Sequence, residues 1–85
     1  MRNLIFTRRA EKDLVNIPKL SAVKIKESLV KFTKNPAHTE LAKIKGTKNI
    51  WRIREEKYRI LLQNEGSIVY VLSIDLRKDI YKKRK

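Results

Sequence analysis

From Ile50 to Ile74 the chain reads with a period of two, and no other feature constrains its fold as tightly. Three runs, Ile50 to Arg54, Lys57 to Gln63 and Ser67 to Ile74, are rich in β-branched and aromatic residues. Only Glu55-Glu56 and Asn64-Glu65-Gly66 separate them. Gaps this short join neighbouring antiparallel strands, so the second half of the chain is expected to be a meander. Alternation then assigns the faces. Ile50, Arg52 and Arg54 share one side of their run, and Trp51 and Ile53 the other. In the next run Tyr58, Ile60 and Leu62 alternate with Lys57, Arg59, Leu61 and Gln63. One face is apolar enough to be covered by helices; the other collects arginines.

The first half supplies the cover. Leu4, Ile5 and Phe6 form a short apolar run that suits a first strand, and Thr7 is placed to cap a helix. Ala10, Leu14 and Ile17 follow at spacings of four and three, and Pro18 is expected to stop that helix. A second helix is expected from Leu20 to Lys34, with Ala22, Ile25, Leu29 and Phe32 as its inner stripe, ending at Asn35-Pro36. Residues 36–49 read as a connecting loop that carries Gly46 and turns Leu41 and Ile44 inward. Arg77 to Lys85 reads as a short helix or a basic extension. The expected fold is α+β: two N-terminal helices packed on an antiparallel sheet of about four strands, with a short basic C-terminal segment. Eighty-five residues allow one domain, spanning 1–85, with no room for a regulatory module.

Charge narrows the function. Twenty-two Lys and Arg against nine Asp and Glu give a formal net charge of +13. So basic a domain attracts polyanions, and nucleic acid is the expected partner. Opposing readings exist for the local features: lysines 24, 26, 31 and 34 form a solvated helix face, and the strand arginines would serve as solubilising edge residues. Arginines in the middle of runs, and not only at their ends, favour a binding role. The chain has no cysteine, hence neither disulfides nor thiolate metal sites. It has no apolar run of the ~18 residues needed to span a membrane. Its N-terminal apolar stretch is too short for a signal peptide, so a cytoplasmic location is expected.

Elimination limits the chemistry further. The acidic residues are scattered and His38 is the one histidine, which argues against metal-dependent cleavage and against a two-histidine ribonuclease mechanism. No cofactor is expected. Phosphodiester cleavage supported by arginine remains, and arginine itself cannot act as a base. Tyr81, four residues after Arg77, is a candidate: nearby guanidinium charges favour the phenolate, which can take a proton from a ribose 2′-hydroxyl. Arg59 and Arg77 would then stabilise the added negative charge of the transition state. On spacing alone, Tyr81 reads equally well as an amphipathic ring packing the last turn onto the sheet.

Lys43-Ile44-Lys45-Gly46, Trp51-Arg52-Ile53-Arg54, Tyr58-Arg59-Ile60-Leu61, Val71-Leu72-Ser73-Ile74 and Arg77-Lys78-Asp79-Ile80-Tyr81, taken together, resemble the RelE/ParE toxin superfamily over nearly the whole chain. The resemblance implies a RelE-like fold and a toxin that cuts messenger RNA in the ribosomal decoding site, beside ribosomal RNA, without a metal. It also implies inhibition by an acidic RelB-like antitoxin in a hetero-oligomeric complex. By the same resemblance Lys45, Arg52 and Arg54 orient the messenger backbone, Arg59 stabilises the transition state, and Arg77 and Tyr81 serve proton transfer and base stacking. Two positions depart from the pattern. RelE itself has lysines where Arg52 and Arg54 stand, and many relatives place a histidine where this chain has Leu76. The general base is therefore Tyr81 or a lysine. Two other functions fit the same fold: a ParE-like inhibitor of DNA gyrase, and a non-enzymatic RNA-binding protein.

Overall fold

The computed structural model describes residues 3–35 and 41–76. Its first strand, β1 (Asn3–Phe6), ends at Thr7, whose side chain makes the turn into helix α1 (Arg8–Val15). The Thr7 hydroxyl accepts from the Ala10 N–H at 3.2 Å, capping the helix, and directs its own hydrogen between the carbonyls of Val71 and Leu72 at 2.9 and 3.0 Å. One hydroxyl thus closes a helix start and ties it to a strand 64 residues away. Thr7→Ala is expected to lower stability by about 1–2 kcal/mol, whereas Thr7→Ser is expected to keep most of it, as read from urea unfolding midpoints.

Helix α1 gives out at Val15, with Asn16 as its C-cap, earlier than Pro18 requires. Pro18 instead opens helix α2 (Lys19–Lys34), where its fixed φ suits a helix start and its missing N–H costs nothing. Lys31 and Lys34 fall in the last turn of α2, where cations oppose the helix dipole favourably. The inner stripe of α2 is the expected one: Ile25, Leu29 and Phe32 are buried, and Ala22 half-buried.

The sheet has five strands in the order β1-β5-β4-β3-β2, with β2 at Leu41–Lys43, β3 at Ile50–Glu55, β4 at Tyr58–Glu65 and β5 at Ile68–Leu76. This corrects the expected all-antiparallel sheet of about four strands. β1 pairs in parallel with β5, and the remaining pairs are antiparallel. In chain order the helices stand between β1 and β2, which lie at opposite edges of the sheet, and the antiparallel run from β2 to β5 brings β5 back beside β1, running the same way. β2 lies where a loop was expected. Three residues are too few to show a period of two, and an edge strand needs only backbone partners, which β3 supplies.

Two tight turns fix the meander. Glu55 pairs with Tyr58, so the first turn is Glu56-Lys57 and Glu55 itself is strand. Glu65 pairs with Ile68, leaving Gly66-Ser67 as a two-residue turn with Gly66 at φ 81°. A glycine with positive φ at the first central position is the preference of a twisted hairpin. Glu56 has φ 56°, unusual for a residue with a Cβ, and its carboxylate accepts from Lys24 Nζ at 2.9 Å, linking the turn to α2.

Helices and sheet meet in one core. Ala10, Ile25, Leu29 and Phe32 from the helices pack with Ile53, Tyr58, Ile60, Leu62, Val69, Val71 and Ile74 from the sheet, flanked by Leu4, Phe6, Leu14, Ile17 and Leu76. All the buried apolar side chains of the sheet point to the helix side. The opposite face is built from the alternate residues, and none of the described elements packs across it.

Candidate functional site

The register places arginines on that opposite face as neighbours. Arg54 of β3 stands directly across from Arg59 of β4, and Arg52 pairs with Leu61 one step along the same side. Residues directly opposite in an antiparallel pair have Cβ atoms roughly 4.5–5.5 Å apart, and Arg52 lies about two strand residues, some 6–7 Å, from Arg54. All three side chains are half-buried, and Nη1 of Arg52 and Nε of Arg54 and of Arg59 are shielded from solvent. Like charges set opposite one another destabilise a sheet, so this arrangement favours an anion above it. The guanidinium fork matches pairs of phosphate oxygens, which suits a phosphodiester backbone.

The row continues onto β5. Asp75 pairs with Arg59 on the side away from Arg54, so Arg54, Arg59 and Asp75 form one line across three strands. A bulge makes this possible. Leu62 pairs with Val71, yet Leu61 pairs with Ser73, so Leu72 is an extra residue on β5. Val69 and Val71 face the core; simple alternation from them would send Ser73 and Asp75 inward and Ile74 outward. The extra residue reverses this, burying Ile74 and turning Asp75 to the arginine face.

Beyond the end of β1, side chains of the first turn and of α1 take over the edge of β5. Asp13 Oδ2 accepts from the Ile74 N–H at 2.9 Å, standing in for a strand carbonyl. Arg9 holds that carboxylate through Nε at 3.3 Å and reaches Asp75 Oδ1 through Nη2 at 3.0 Å. Asp13 first, and then Asp75, hold the Arg9 guanidinium above its usual pKa. The Arg9-to-Asp13 order along the helix is the weaker orientation for such a pair, so its value lies in bridging helix to strand.

Of the residues singled out from sequence, the structure therefore gathers Arg52, Arg54 and Arg59 on one face that none of the described elements covers. Lys45 is exposed in the turn between β2 and β3, at the Ile50 end of β3, about 13 Å or more of strand from Arg54. Arg77 and Tyr81 lie outside the described residues, as does His38; β5 ends at Leu76, so Arg77 directly follows the strand that carries Asp75. Trp51 is half-buried and belongs to the helix-facing side with Ile53. Asp75 and Arg9 were not legible in advance. The bulge breaks the alternation that would have revealed the first, and the second arrives from a helix that only packing brings to β5. Among the described residues no group of three His, Cys, Asp or Glu side chains converges to hold a metal ion. No helix among them is long and apolar enough to cross a membrane.

The two-helix layer on a five-stranded mixed sheet is a RelE-like toxin fold, as superposition on solved structures shows. The RelE chain in the RelB–RelE antitoxin–toxin complex from Methanococcus jannaschii superposes with a TM-score of 0.80 at 28% identity, covering 91% of this chain and 94% of that one. The isolated RelE toxin of E. coli superposes with a TM-score of 0.74 at 21% identity over 100% of both chains. YoeB, seen as a dimer from Staphylococcus aureus, gives 0.70 at 20% identity, over 85% of this chain and 92% of that one. Among curated proteins no sequence matches significantly. Residues 4–81 match the family model of the ParE toxin of the type II toxin–antitoxin system, parDE. The chain belongs to this family: it is a RelE/ParE-superfamily toxin of a type II toxin–antitoxin system.

Proposed function

We propose that this toxin is an endoribonuclease that cuts messenger RNA on the ribosome without a metal, by attack of a ribose 2′-hydroxyl on the adjacent phosphorus. The observation that carries the reading is the Arg54–Arg59 pair standing directly opposed beside Arg52 on a face that no described element covers. Arg52 and Arg54 orient the backbone of the messenger, and Lys45, at the far end of β3, meets it further along. Arg59 and Arg77 stabilise the extra negative charge on the phosphoryl oxygens as the O2′–P bond forms. Tyr81 or a lysine takes the 2′-hydroxyl proton, the P–O5′ bond breaks as the O2′–P bond forms, and the departing 5′-oxygen takes up a proton, which yields a 2′,3′-cyclic phosphate and a 5′-hydroxyl end. Since the attacking group is the 2′-hydroxyl, the substrate is RNA and not DNA.

Mapping messenger 5′ ends after induced expression tests this reading. New ends clustered within translated codons are expected, together with growth arrest and undamaged DNA. Tyr81→Phe is expected to lower the cleavage rate by about 10²–10⁴-fold, the range for loss of a proton-transfer group. Wild-type cleavage by that variant would assign the base to a lysine.

A second reading is favoured by the family whose model the chain matches: a ParE-like poison of DNA gyrase. It predicts DNA damage with intact messenger, so the same experiment separates the two. In either case the partner is an antitoxin. The structural relatives include RelE bound to RelB, and a net charge of +13 calls for an acidic protein, in a cytoplasmic hetero-oligomeric complex. Co-purification of an acidic protein encoded by a short neighbouring reading frame is the expected outcome. Isolation of a lone, harmless protein would count against the toxin's having such a partner.

A further inference from the structure

Asp75 is the one carboxylate in the row formed with Arg54 and Arg59, and two arginines compete for it. Arg59 stands directly across from it on β4, and Arg9 grips its Oδ1 at 3.0 Å from the helix side. Opposite charges directly across a strand pair attract, so an Asp75 left to Arg59 alone would offset part of the charge that Arg59 offers a phosphate. Arg9 is not loosely placed. Its Nε bonds to Asp13, and Asp13 is itself anchored on the Ile74 backbone N–H, one residue before Asp75. Helix α1 thus presents a guanidinium to Asp75 from a fixed point. Arg9 brings Asp13 with it, so the helix adds one cation and one anion, and what Arg9 changes is how the Asp75 charge is shared and not the net charge of the row.

We propose that Arg9 is a positioning residue for the arginine face: by holding Asp75 it lowers the share of that negative charge falling on Arg59, and so sets the affinity of the face for a phosphodiester backbone. The proposal rests on the reading of Arg54 and Arg59 as phosphate-binding groups. Arg9 acts through Asp75 and does not touch the nucleic acid. Its side chain is 55% exposed, so solvent screens the effect and confines it to the scale of an ordinary surface pair.

The test is a double-mutant cycle on the full chain, read as affinity for a 2′-O-methyl RNA oligonucleotide at fixed ionic strength. This probe keeps the phosphates and lacks the attacking hydroxyl. Arg9→Ala is expected to weaken binding about fivefold, and Asp75→Asn to tighten it by a similar factor. In the Asp75→Asn background, Arg9→Ala is expected to change affinity by less than about twofold, because the carboxylate through which Arg9 acts is gone. An equal loss with and without the Asp75 carboxylate would overturn the proposal, since Arg9 would then be one more direct phosphate contact; no loss at all from Arg9→Ala would overturn it too. Urea unfolding of each variant separates loss of fold from loss of affinity, and Arg9→Gln is expected to repeat the pattern if the alanine variant unfolds. Arg54→Ala and Arg59→Ala serve as controls: unchanged binding in both removes the phosphate-binding reading itself. Weakened binding in both, with an additive Arg9 effect, removes the Arg9 inference alone.

Discussion

Arg59→Ala is expected to lower messenger cleavage on the ribosome by about 10²–10³-fold, the cost of deleting one fixed donor from a site of developing negative charge. Arg59 is the best placed of the described cations to carry that load, because it alone has a charged residue directly across on both sides, Arg54 and Asp75. The same position makes the change nearly silent for folding. Removing the side chain relieves the opposition to Arg54 and forfeits the attraction to Asp75, two effects of similar size and contrary sign. The unfolding midpoint should therefore move little while cleavage collapses. Messenger cleavage by the variant at the wild-type rate would show that the arginine row is not the reacting site. Arg59→Lys is expected to recover only part of the loss, since an ammonium keeps the charge but lacks the two-pronged geometry.

Phe32→Ala is expected to destabilise the protein by about 3–5 kcal/mol, the range for truncating a buried aromatic ring. Phe32 is 2% exposed and sits on the inner stripe of α2, against the sheet core. Domains of this size are stabilised by only about 0.05–0.15 kcal/mol per residue, so one such cavity removes a large fraction of the total. The variant should unfold at much lower urea, with the slope of the transition unchanged. Arg59→Ala and Phe32→Ala thus form a contrasting pair, one removing function without fold and the other fold together with function. A Phe32→Ala protein as stable as wild type would mean that the helix layer contributes little to holding the sheet.

What could be read before the fold was known divides along physical lines. Local, repeated patterns were legible. The period of two from Ile50 onward separated Ile53, Ile60 and Leu62 from Arg52, Arg54 and Arg59, because in a strand the face follows from parity alone. The spacing of Ile25, Leu29 and Phe32 found the buried side of α2 in the same way, and Thr7 marked the start of α1 because a cap bond spans only three residues. The turns were placed to within a residue or two, as hairpin boundaries depend on register.

Whatever depended on distant partners was decided by tertiary structure. Three residues at Leu41–Lys43 become a strand because the edge of β3 needs backbone partners. The parallel pairing of β1 with β5 joins the first and last strands of the chain, which no local pattern records. The same holds for the site. The sequence by itself determined that arginines would share one face and that the chain would be strongly basic. It could not determine that Arg54 and Arg59 stand opposite each other, since that is a matter of register. Nor did it reveal that an extra residue at Leu72 turns Asp75 outward, or that Arg9 arrives from α1 to hold it. Parity along one strand is a property of the chain. Register between strands, and the packing of a helix against a sheet edge, exist only once distant segments have bonded to one another.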